Sequence, residues 1–308
     1  MRELAKLLFG HWAFDPISLA VVLAAGIYYV GSSRISKLNR EQSYWSKKAR
    51  RKRSISFYSS LVVVFIALAS PIDYYSQYLF WVHMIQHILI GIVAPALLVL
   101  SAPWLVLLKG LPRKYRQMYI RNLFQDGKFV FLRKVAKRLN TPIVASVLFN
   151  FDFWIWHYPP LYDAALRNLS IHILEHTTFF GFGVLLWLQI VESYPFQPKW
   201  NYQKRCAMVY LSAVSNWILA IILGYASASF YPYYVNLVHR PGGISAIADQ
   251  QLGAAIMWVP GMIPYTLAFA MLLYRWLATQ EDPDYALQRL VQRSASQEEI
   301  RQEYSEVG

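Results

Sequence analysis

Two pairs of histidines sit at helical spacing in this chain: His83 and His87 in HMIQH, and His172 and His176 in HILEH. Residues four apart share one face of a helix, with Cβ atoms about 5–6 Å apart, so each pair can offer two imidazoles to one ion. Two such helices facing each other would supply up to four nitrogen ligands, a common way to build a metal site in a helical bundle. His157 is a further candidate ligand, and Asp152, Glu175 and Asp249 are carboxylates that could ligate or orient the rings. Met84, Met257 and Met262 are candidate soft ligands, although methionine is also a common filler of apolar gaps. Imidazole suits copper, zinc, iron and nickel, and affinity among divalent ions usually favours copper. Haem is the second option, since an axial histidine on each of two helices would grip one iron. A third reading comes from His172, Glu175 and His176, which spell the H-x-x-E-H of inverzincin proteases, where the histidines hold zinc and the glutamate is the general base. The fourth takes the histidines as interhelical hydrogen bonds in a metal-free scaffold.

The elements that must position these residues are membrane spans. Of 308 residues, 56% are hydrophobic and only 15% charged, against roughly 25% in soluble proteins, and the apolar residues fall in long runs. The composition and pattern predict an all-α polytopic bundle of about seven spans: Pro16–Gly31, Phe57–Ser70, Tyr78–Leu98 with a continuation toward Leu108, Pro142–His157, Ile171–Val191, Cys206–Ala226 and Leu252–Leu277. The first is read as a retained span rather than a cleaved signal peptide. With Cys206 as the single cysteine, neither an intrachain disulfide nor a cysteine-rich metal site can form.

A net charge of +13 alone would suit nucleic acid, but it is concentrated in loops between apolar segments, with no RNA-binding pattern beside it. Residues 32–56 and 109–141 carry most of it, with Lys199, Lys204 and Arg205 in the fifth loop, whereas the even loops hold only Arg167 and Arg240. The positive-inside rule then makes the odd loops cytoplasmic, the N-terminus external and the C-terminus cytoplasmic. All seven histidines, His11 and His239 included, fall on the external side. Between Arg113 and Leu139, basic and apolar residues mix as in a helix lying on an anionic membrane surface. Trp154, Trp156 and Tyr158 read mostly as interfacial belt, Asn216 as an interhelical hydrogen bond, Pro260 and Pro264 as kinks, and residues 281–308 as a polar, acidic tail beyond the 1–280 bundle.

Four stretches together resemble the landmarks of the CtaG family, over about residues 10 to 280: His83–Pro103 (HMIQHILIGIVAPALLVLSAP), Trp156–Leu166 (WHYPPLYDAAL), HILEH, and Asp249–Trp258 (DQQLGAAIMW). One departure is Ala254–Ala255, where the family suggests glycine-rich sequence. The resemblance implies a non-catalytic factor for assembly of caa-type cytochrome c oxidase, in the bacterial cytoplasmic membrane. It implies copper handling at the outer face by His83, His87, His157, His172, His176 and Asp249, with oxidase subunits as partners and an extracytoplasmic copper donor as a further one.

Overall fold

A computed structural model describes residues 10, 12, 16–38, 47–120 and 129–280. His11, residues 39–46 and 121–128 of the basic loops, and the 281–308 tail lie outside the described residues. The described chain is helical, without strands: α1 (Pro16–Leu38), α2 (Lys47–Ala69), α3 (Pro71–Ser76), α4 (Phe80–Ile88), a π-helical turn (Leu89–Val93), α5 (Ala94–Ser101), α6 (Trp104–Gly110), α7 (Arg113–Ile120), α8 (Val130–Leu139), α9 (Pro142–Trp156), α10 (Pro159–Arg167), α11 (Leu169–Ile190), α12 (Tyr202–Gly224), α13 (Pro232–Val235) and α14 (Ala246–Gln280).

Among the described residues, six helical stretches are long and apolar enough to cross a membrane: Ser18–Ser36, Lys48–Ala69, Phe80–Ser101, Leu169–Ile190, Tyr202–Gly224 and Ala246–Gln280. The predicted fourth span corresponds to α9, an apolar helix of 15 residues. Two boundaries differ from expectation. Helix α2 begins ten residues early and runs through the basic cluster, because lysine and arginine are good helix formers whose stems can lie along apolar surface. Helix α14 begins at Ala246 and passes through Pro260 and Pro264 as one 35-residue helix, so Asp249 lies in its first turn. The third span ends at Ala102, which turns left-handed (φ 45°) before Pro103, and α6 continues separately.

Contacts define two ends of the bundle. At one, Arg34 donates to the carbonyls of Lys109 (2.7 Å) and Leu111 (2.9 Å), and Arg205 donates to the Ile190 carbonyl at the C-terminus of α11, where a cation suits the helix dipole. Helix α2 then runs antiparallel to α4 and α5: Ser56 Oγ donates to the Leu97 carbonyl (2.7 Å), Ser60 Oγ to Ala94 (2.8 Å), and Gln86 Nε2 to Ala67 (2.9 Å). The opposite end therefore holds Ser70–Phe80, His157–Asn168 and the 225–246 loop. One apolar core around Phe80, Phe153, Tyr162, Phe179 and Tyr231 fills this end, and a second around Val99, Leu186, Trp187, Met208 and Leu272 fills the basic end. The basic segment read as a membrane-surface helix holds two helices, α7 and α8; α8 has no buried residue and exposes Phe131 and Leu132 beside its basic side chains.

Candidate metal centre

Helix α4 carries His83 and His87 on the face turned toward α11. Its first residues have no capping side chain of their own. Asp249 of α14 supplies it instead, accepting from the Phe80 amide through Oδ2 and the Trp81 amide through Oδ1, both at 3.0 Å. A carboxylate there answers the orphan amides and the positive end of the helix dipole. Gly253, one turn further along α14, makes this approach feasible, since a Cβ there would overlap the Phe80 ring.

Helix α11 begins at Asn168, whose side chain accepts from the amides of Ser170 (2.9 Å) and Ile171 (3.4 Å), and so places His172, Glu175 and His176 in its first two turns. It lies against the π turn that follows His87. A Cβ on Gly183 would overlap the Gly91 carbonyl, so only glycine lets the two backbones come this close. The extra residue of the π turn re-registers the chain between the histidines and α5, a device frequent at functional sites.

His83, His87, His176 and Glu175 converge so that one ligand atom from each lies within 4.8 Å of the others. Glu175 Oε1 is 3.3 Å from His87 Nε2, and Oε2 is 3.9 Å from His83 Nε2 and 4.0 Å from His172 Nε2. Glu175 is fully buried and, among the described residues, finds only histidine nitrogens within ion-pair range. Neither Glu175 oxygen has a hydrogen-bond partner there, nor do Nε2 of His83, His172 and His176 or either nitrogen of His87. Each such buried group is costly to leave unpaired, by about 1–3 kcal/mol, and a cation among them would satisfy several at once. The donor set of three imidazoles and a carboxylate fits a transition-metal ion.

Two phenols buttress His83. The Tyr234 hydroxyl donates to the Ser76 carbonyl (2.5 Å), which can only accept, and its oxygen lies 3.3 Å from His83 Nδ1. The Tyr162 hydroxyl lies 2.9 Å from the same nitrogen and 3.4 Å from the Tyr234 oxygen. These contacts on Nδ1 orient the ring so that Nε2 faces Glu175, as outer hydrogen bonds do for metal-binding histidines.

The other sequence candidates are distributed around this group. His172 stands at its edge, 12% exposed, with its ring 4.1 Å from that of His176. His157 flanks His87 at a ring separation of 5.8 Å and faces Met84. Asp152 accepts from Trp156 Nε1, which also reaches Thr178, one turn from Glu175. Asp249 is the cap of α4 and not a member of the four-residue group. Met257 lies in the apolar core, its carbonyl accepting from Asn216 as the interhelical reading expected, and Met262 packs in the basic-end core. Trp156 departs from the belt reading: it is buried and hydrogen-bonded, while Trp154 and Tyr158 are exposed. Tyr162 and Tyr234 went unnoticed in the sequence; Tyr162 lies in the WHYPPLYDAAL motif, but no spacing rule singles out a phenol that buttresses a histidine.

The family model for the cytochrome c oxidase caa3 assembly factor (Caa3_CtaG) matches residues 12–279. The chain belongs to this family. Among curated relatives, an uncharacterized protein of Mycobacterium bovis is 26% identical over 296 residues, covering 89% of this chain and 42% of the relative. One of Mycobacterium leprae is 22% identical over 278 residues, covering 87% and 40%. The chain thus spans about two fifths of the length of these relatives. No solved structure matches it.

Proposed function

We propose that this protein assists assembly of a caa3-type cytochrome c oxidase by holding copper at the external face of the membrane and releasing it to an apo-oxidase subunit. Family membership supports the assembly role. The metal reading rests on one observation, the convergence of His83, His87, His176 and Glu175 with their buried donor atoms unpartnered. Contact of imidazole on imidazole across the two helices, with ring centroids 5.5 Å apart for His83 and His172 and 5.9 Å for His87 and His176, favours an ion over a macrocycle between α4 and α11. The histidine end lies opposite the basic end, so the positive-inside rule assigns the centre to the outer leaflet. His172, the more exposed ligand candidate, is then the place of first contact for an ion arriving from outside. Buried Glu175 balances positive charge where water cannot. In this reading the chain does no covalent chemistry; it binds, orients and passes on its cargo.

Elemental analysis and an optical spectrum of detergent-purified protein test this, beside a variant with His83, His87, His172 and His176 all changed to alanine. The expected result is copper in the native chain, its loss in the variant, no Soret band, and a copper-deficient oxidase in cells carrying the variant. Zinc or haem in place of copper would overturn the metal assignment. Unchanged oxidase assembly in the variant would make the chain a metal-free scaffold.

A further inference from the structure

The geometry points to a second metal position beside the four-residue group, formed by Met84 Sδ and His157 Nε2 and selective for copper(I). His157 Nδ1 lies 2.6 Å from the Phe153 carbonyl. A carbonyl only accepts, so Nδ1 carries the proton of the neutral ring and Nε2 presents a lone pair. That lone pair faces Met84 Sδ at 3.4 Å. A thioether has no hydrogen, so two acceptors confront each other, with Met84 fully buried and His157 5% exposed. A proton on Nε2 would make the ring a cation, yet among the described residues no carboxylate lies within ion-pair range of His157, whereas three other histidines share Glu175.

A metal ion accounts for this arrangement. With metal–nitrogen near 2.0 Å and metal–sulfur near 2.3 Å, two ligands of one ion stand roughly 3.3–3.6 Å apart. A thioether is a soft ligand that prefers copper(I), while the adjoining imidazole and carboxylate set also accepts zinc or copper(II). His87 joins the two positions. Its ring is 4.2 Å from that of His83 and 5.8 Å from that of His157, and both its nitrogens lack a hydrogen-bond partner. The second position would thus take copper(I) on from the first and leave zinc behind, an inference that rests on the copper reading for its supply of ions.

The test is X-ray absorption at the metal edge on the full chain in detergent, with its methionines replaced by selenomethionine. One sample is loaded with copper(I) under ascorbate and another with zinc(II). Copper(I) should show a directly bonded selenium scatterer that zinc lacks, and the scatterer should vanish in Met84→Leu, which keeps side-chain volume. Because the first spectrum uses the unsubstituted chain, it does not depend on the variant folding. Copper(I) bound through nitrogen and oxygen alone, selenium persisting in Met84→Leu, or the same selenium scatterer on zinc would each overturn the second position and leave the first standing. No copper bound at all would overturn both.

Discussion

Glu175 and Asp249 are both buried acids near the histidine end, yet their surroundings give them different work. Glu175 faces nitrogens that lack other partners, so Glu175→Gln should weaken metal binding roughly 10–100-fold, the range seen when groups supporting a metal site are removed. Competition with a coloured chelator measures this, and unchanged affinity would take Glu175 out of the centre. Asp249 has each oxygen on a backbone amide of α4, so Asp249→Ala should lower stability by about 1–2 kcal/mol, as loss of a helix cap does, while the metal-to-protein ratio stays the same. Thermal unfolding with elemental analysis separates the two effects. The histidines themselves were legible from the sequence, because HxxxH fixes a shared helix face whatever the fold. The roles of the acids were not. Asp152, Glu175 and Asp249 all read alike, as carboxylates that could ligate or orient the rings, since spacing along one helix says nothing of which carboxylate a neighbouring helix will meet. Trp156 shows the same limit: residue type suggested the interface, and packing against Asp152 and Thr178 put it inside.

At the scale of helices, the centre depends on how closely α11 approaches the π turn after His87. Gly183→Ala would set a methyl against the Gly91 carbonyl and push the helices apart. Overpacking of this kind costs about 1–3 kcal/mol, and metal affinity should fall although no ligand is altered. A variant that binds as tightly as the parent in the same chelator competition would show that helix separation does not set the ligand geometry. Apolar run lengths made the spans readable, because a bilayer demands them. The π turn left no such signature, as LIGIV fits an ordinary helix equally well. The start of α14 at Ala246 was equally hidden, since a polar Asp-Gln-Gln opening looks like loop until its partners in α4 and the 225–246 loop are known.

For the whole molecule, the separation of basic and histidine-bearing ends makes a directional statement that thiol labelling can check. In a Cys206→Ser background, His239→Cys should react with a membrane-impermeant reagent in intact cells, and Lys134→Cys only after the membrane is opened. The reverse pattern would turn the centre toward the cytoplasm. Charge made the separation of the two ends legible in the sequence, because lysine and arginine cluster in the odd loops, whereas span count was less secure where α9 is concerned. That helix has a consequence for its surroundings. Its 15 residues rise only about 22 Å, against a hydrocarbon layer of about 30 Å, and Ile143, Val147 and Phe151 point outward along it. Were α9 to cross the bilayer as a span, lipid wetting this flank would have to thin by several ångströms, and such hydrophobic mismatch is relieved when a neighbour with an equally short span takes the place of lipid.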